Sequence, residues 1–165
     1  MLLIGLGWYK KRRSWVIMSD NTSHIGVIFL FSLYTDAATQ PESGLSAGGI
    51  LLIHDHQQTQ EKVALTATNN HTAEFEIATI ALTRLRDQLG AAAGETTVLF
   101  HTDSQIVSQS LAKHYAKHYQ AEVDRLLSVQ SAFQLVLTEW VPEKQNQGAH
   151  TLANQALHAR EADVK

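Results

Sequence analysis

The chain has 165 residues, 44% of them hydrophobic, which is enough for one complete core and too short for two ordinary domains. Its formal net charge of −3 excludes a broadly basic surface that coats nucleic acid, so any polynucleotide contact must be local. The absence of cysteine excludes disulfide frameworks and zinc–thiolate centres and suits a reducing, cytoplasmic setting.

The chain opens with MLLIGLGW and then KKRR, an order of apolar and basic runs opposite to that of a secretory signal. Residues 1–17 carry neither a period-2 nor a helical pattern, and the expected organisation is a poorly ordered extension over 1–22 followed by one domain over 23–165. GVIFLFSLY, ending at Tyr34, reads as a strand buried on both faces but is too short to span a bilayer, which needs about 20 residues. GGILLIH and KVALTAT follow as two more strands of an antiparallel meander, separated by polar DHQQTQE. Helical spacing runs from Thr72 to Leu89 and stops at Gly90 before the small, flexible AAAGE stretch. TTVLFHTD is a fourth strand, with Ser104 as N-cap of the helix after it. A further helix is expected over Tyr115 to Gln130, then strand QLVLTEWV, ended by Pro142, and a closing helix with Ala149, Leu152, Ala153, Ala156 and Leu157 as its buried stripe. This order, βββαβααβα, is an α/β fold with a mixed five-stranded sheet, three antiparallel strands then two more, flanked by helices.

Three acids fall where apolar side chains belong. Glu74 heads a helical stripe of Ile77, Ala78, Ala81, Leu82 and Leu85, whereas Glu76 shares its side with Thr79, Thr83, Arg84 and Asp87 and reads as a solvated charge. Asp36 ends the first apolar strand, as a turn former or as a ligand, and Asp103 ends the fourth, as a helix cap or as a ligand. If the three converge, a divalent cation offsets the cost of burying them. All-oxygen ligation then selects Mg²⁺ or Mn²⁺, and two such ions about 4 Å apart serve phosphoryl chemistry.

The stretches LYTDAAT with SAGGILL, TNNHTAEFE, HTDSQIV and WVPEKQNQGAHTLANQAL resemble, in order and spacing, the type 1 ribonuclease H (ribonuclease HI) family from about Leu33 to Leu157. The resemblance implies a ribonuclease H-like fold and an endonuclease that hydrolyses the RNA strand of RNA–DNA hybrids by two-metal-ion catalysis. It carries the first three catalytic, metal-binding acids onto Asp36, Glu74 and Asp103. The fourth acid falls on His150, where a neutral imidazole would bias the site toward Mn²⁺ or would only edge the buried stripe. A second departure is QPESGL, which stands where the family has a glycine- and proline-rich loop.

Asn70, with its neighbour Asn69, matches the family's reader of the RNA 2′-hydroxyl or else shapes the helix entry, and Lys113 and Lys117 in LAKHYAKHY either contact phosphates or form a solvated helix face. His54 and His56 read as turn residues, and His101 as a strand residue on the same strand face as Asp103. The expected partner is an RNA–DNA hybrid, with neither a membrane nor an obligate protein partner. The alternative is a catalytically weak or inactive nucleic-acid-binding module on the same fold. A proofreading exonuclease is disfavoured, since Asp36-Ala-Ala lacks the glutamate of the Asp-x-Glu motif.

Overall fold

The computed structural model describes residues 8–11, 14–17 and 29–163. Strands β1 (Trp8–Lys11) and β2 (Ser14–Ile17) pair antiparallel as a separate two-stranded sheet, with Trp8 opposite Ile17. This hairpin falls within the expected 1–22 extension, the rest of which lies outside the described residues.

The main sheet contains β3 (Phe29–Gln40), β4 (Leu45–His54), β5 (Gln57–Leu65), β6 (Thr96–Thr102) and β7 (Leu135–Trp140) in the order β5-β4-β3-β6-β7. The first three form an antiparallel meander, while β6 and β7 add parallel to β3. Helices α1 (Asn70–Leu89), α2 (Gln105–Lys113), α3 (Gln120–Gln130) and α4 (Gln147–Asp163) complete the expected α/β order.

Several boundaries differ from the sequence reading. Strand β3 does not end at Asp36: it runs on to Gln40 and turns at Pro41–Gly44, where Gly44 takes φ 67° and its amide bonds the Gln40 carbonyl at 2.8 Å. Polar residues sustain this extension by pairing with each other, as when the Thr39 and Ser46 hydroxyls meet at 2.7 Å. The β4–β5 turn is the two residues Asp55 and His56, both at positive φ, so the polar QQTQE run is strand; it lies on a sheet edge, where exposed side chains are tolerated. AAAGE is not a flexible link but part of a 3₁₀ helix, Gly90–Glu95. The KHY repeat breaks at His114, a left-handed C-cap with φ 52°, so α3 begins at Gln120 rather than Tyr115.

Two glycines in the middle of β4 bring the helices close. Successive strand residues face opposite sides of a sheet. A Cβ on Gly48 would meet Ile77 of α1 at 2.4 Å, and a Cβ on Gly49 would meet the Ala149 carbonyl oxygen of α4 at 2.2 Å. Each helix therefore rests on bare backbone, α1 over the large core that holds Leu33, Phe75, Val98, Phe100 and Leu126, and α4 on the other face. Gly49→Ala is expected to cost on the order of 3 kcal/mol in urea-induced unfolding, because the blocking atoms belong to helix backbone and cannot swing aside.

Candidate metal centre and cleft

Strand register places Asp36 and Asp103 side by side. Thr35 of β3 pairs with Thr102 of β6, and the next residue on each strand is Asp36 and Asp103. Glu74 comes from the first turns of α1, one turn before the Ile77 that seats on Gly48. One carboxylate oxygen from each of Asp36, Glu74 and Asp103 lies within 4.8 Å of the other two. They line a cleft of about 350 Å³ together with Asn70, His71, Ser104, Gln105, Glu143 and His150.

Asp36 and Glu74 are 4% and 5% exposed. Burial, then the neighbouring Asp103 carboxylate, pushes Asp36 up to about 6, against the pull of the His150 hydrogen bond. Burial and the charges of Asp36 and Asp103 hold Glu74 well above the usual carboxylate range. Glu74 Oε2 is buried with no hydrogen-bond partner in the protein. An orphaned buried oxygen beside two other carboxylates is a donor set that fits a hard divalent cation.

Asp103 does not cap α2. Ser104 holds the N-cap position, without a side-chain bond, and its amide donates to Thr102 Oγ1 at 3.1 Å. Asp103 is fixed from the opposite side. Asn146, fully buried, donates from Nδ2 to Asp103 Oδ1 at 3.1 Å and to the Thr35 carbonyl at 2.9 Å, while Trp140 Nε1 donates to the Asp103 carbonyl at 2.9 Å. The positioning role of Asn146 is not legible in the sequence. The sequence offers only an asparagine four positions before His150, and its burial comes from the fold.

His150 stands beside the acids but outside the group of three that converges. Its Nδ1 is 2.8 Å from Asp36 Oδ2, and its Nε2 is 3.0 Å from Asn154 Nδ2. The same Asn154 Nδ2 donates to the His150 carbonyl at 3.0 Å, so it is the amide nitrogen that faces Nε2 and donates to it. The proton of a neutral ring then sits on Nδ1, from which it is donated to Asp36.

The remaining sites separate. Asn70 lines the cleft, whereas Asn69 spends its side-chain oxygen capping α1, accepting from the Thr72 amide at 2.9 Å. Lys113 and Lys117 are exposed on either side of the His114 break, away from the cleft lining, and so do not share one helix face. His101 is buried, stacked on Tyr34 at 4.3 Å and 3.4 Å from Glu139, with burial lowering its pKa; it does not line the cleft. His54 stacks on Phe31 at the other end of the strand. Glu76 is half-buried rather than solvated, its carboxylate accepting from the Thr66 and Ala67 amides at 2.9 and 2.8 Å where β5 ends.

Among the described residues no helix is long and apolar enough to cross a membrane. A family model described as reverse transcriptase-like matches residues 34–156. EbsB of Enterococcus faecalis, which carries a provisional hydrolase name, is 39% identical over 130 residues, 78% of this chain and 94% of its own. The fold is similar to that of the N-terminal ribonuclease H domain of rv2228c from Mycobacterium tuberculosis, with TM-score 0.70, 21% identity, and 83% and 99% of the two chains covered. It is also similar to ribonuclease H1 of Halobacterium salinarum, with TM-score 0.69, 22% identity and 79% and 98% coverage. A third likeness, at TM-score 0.69, 17% identity and 79% and 98% coverage, is to LC11-RNase H1 in complex with an RNA/DNA hybrid. The match over residues 34–156 shows that this chain belongs to the reverse transcriptase-like family, and its fold is that of the ribonuclease H domains.

Proposed function

We propose that the protein is an endonuclease that hydrolyses the RNA strand of RNA–DNA hybrids, working in the cytoplasm with two divalent ions. The observation that carries this reading is the convergence of Asp36, Glu74 and Asp103 in the lining of one cleft, with Glu74 Oε2 left without a protein partner. These three acids would hold the ions, with His150 at the fourth position through its contact with Asp36. Bound there, the ions would supply an activated water and take up charge on the leaving oxygen. Asn70, exposed at the cleft rim, is placed to contact the hybrid's minor groove, with Asn69 setting the helix end beneath it and Lys113 and Lys117 available to phosphates farther off.

Labelled RNA–DNA hybrid, single-stranded RNA and duplex DNA, each incubated with Mg²⁺, Mn²⁺ or chelator, test the reading. The expected result is cleavage of the hybrid alone, in its RNA strand, with Mn²⁺ preferred over Mg²⁺ and none in chelator. Equal cleavage of all three substrates would exclude it. An imidazole rather than a carboxylate bonded to Asp36 favours a second reading, a module that grips hybrids without cutting them. Binding of hybrid with no cleavage in either metal would select that one.

A further inference from the structure

Glu143 follows Pro142 and opens the single-turn 3₁₀ helix Glu143–Gln145. Its carbonyl accepts from the Asn146 amide at 2.8 Å and from Gln147 Nε2 at 3.4 Å. Because Asn146 also bonds Asp103 and the Thr35 carbonyl, the backbone that carries Glu143 is tied to the same two strand ends as Asp36 and Asp103. The side chain is 65% exposed, lines the cleft, and places Oε1 3.7 Å from His150 Nε2. No lysine or arginine among the described residues lies within ion-pair distance of it.

His150 is fully occupied in the conformation observed. Its Nδ1–H is given to Asp36, and its Nε2 lone pair receives Asn154. A neutral ring so engaged offers neither a charge nor a free lone pair to a cation. The convergent acids bring at most three negative charges against the four positive charges of two divalent ions. Glu143, beside the imidazole, is a fourth carboxylate on the same lining.

We propose that Glu143 is the fourth carboxylate of the centre, a ligand of the outer of two divalent ions, and that His150 is a positioning residue that holds Asp36 beneath it. This rests on the two-ion reading above and deepens it. Glu74 Oε2, buried and unpartnered in the same cleft, is the independent sign that the cleft takes a cation.

Mn²⁺ binding to the whole chain without nucleic acid, followed by electron paramagnetic resonance and calorimetry, tests it apart from catalysis. Glu143→Gln is expected to weaken the weaker Mn²⁺ equilibrium about 10- to 100-fold, the range seen when a group supporting a metal is removed. Its metal-free thermal melt should match the wild type, since the side chain is exposed. Lys144→Gln, which neutralises the adjacent exposed charge outside the cleft lining, should change binding by no more than about twofold, as a screened surface charge would. Mn²⁺ titrations of Glu143→Gln indistinguishable from wild type overturn the Glu143 assignment alone. A wild-type protein that binds no Mn²⁺ overturns the two-ion reading with it.

Discussion

Glu74→Gln is expected to lower hybrid cleavage about a thousandfold, equivalent to about 4 kcal/mol of transition-state stabilisation, while making the metal-free protein harder to unfold. The two effects have one cause. Glu74 is buried against Asp36 and Asp103, so in the absence of a cation its charge is opposed by desolvation and by two like charges. A neutral amide removes that opposition and also removes the oxygen that a cation would use. Cleavage assays and thermal melts in chelator, run on the same preparation, check both halves. A melt that falls while cleavage persists would show Glu74 to be structural.

The same cluster sets the pH dependence of stability. Asp36 is raised to about 6 in the fold, above the unfolded value of about 3.9, so between those values the folded chain binds more protons than the unfolded one. Stability of the metal-free protein is therefore full below the unfolded value and falls as pH rises through about 6, by on the order of 3 kcal/mol for Asp36. Glu74, displaced in the same direction, adds to the loss. Saturating Mn²⁺ should flatten the profile, because a bound cation favours the ionised acids. A metal-free protein that is more stable at pH 8 than at pH 5 would contradict this assignment.

His150→Asp gives the second large effect, with opposite signs in the two metal states. In Mg²⁺, hybrid cleavage is expected to rise about tenfold, worth about 1.4 kcal/mol, and the Mn²⁺ preference to shrink, because a hard carboxylate is added where the imidazole, engaged by Asp36 and Asn154, lends the ions no lone pair. Without metal the variant should lose about 2 kcal/mol, since Asp36 forfeits the charge-assisted bond from Nδ1 and gains a like charge in its place. Metal-dependent rates and chelator melts decide it. No change in rate or metal preference would remove His150 from any part in the centre.

The acids were legible because each broke a pattern. Glu74 stands at the head of a stripe whose other members, Ile77, Ala78, Ala81, Leu82 and Leu85, are all buried, and hydrophobic periodicity exposes such an intruder. Element order was legible for the same reason. What could not be read was polar structure held by partners distant in sequence. Residues 37–40 continue β3 because β4 pairs with them, and QQTQE is strand because β4 offers its other edge. Glu76 looks solvated along its helix and is in fact bound to backbone amides ten and nine residues earlier. Glu143 breaks no period at all, and its place in the cleft follows only from the turn that Asn146 anchors.

Gly48 and Gly49 act as a calliper across the sheet. One jaw bears α1, which delivers Glu74, and the other bears α4, which delivers His150. No side chain projects from either glycine, so the α4 jaw closes onto helix backbone and the α1 jaw onto the Ile77 side chain. The cleft can therefore be widened from the α4 side by a single methyl group placed on Gly49, without altering any residue that faces it.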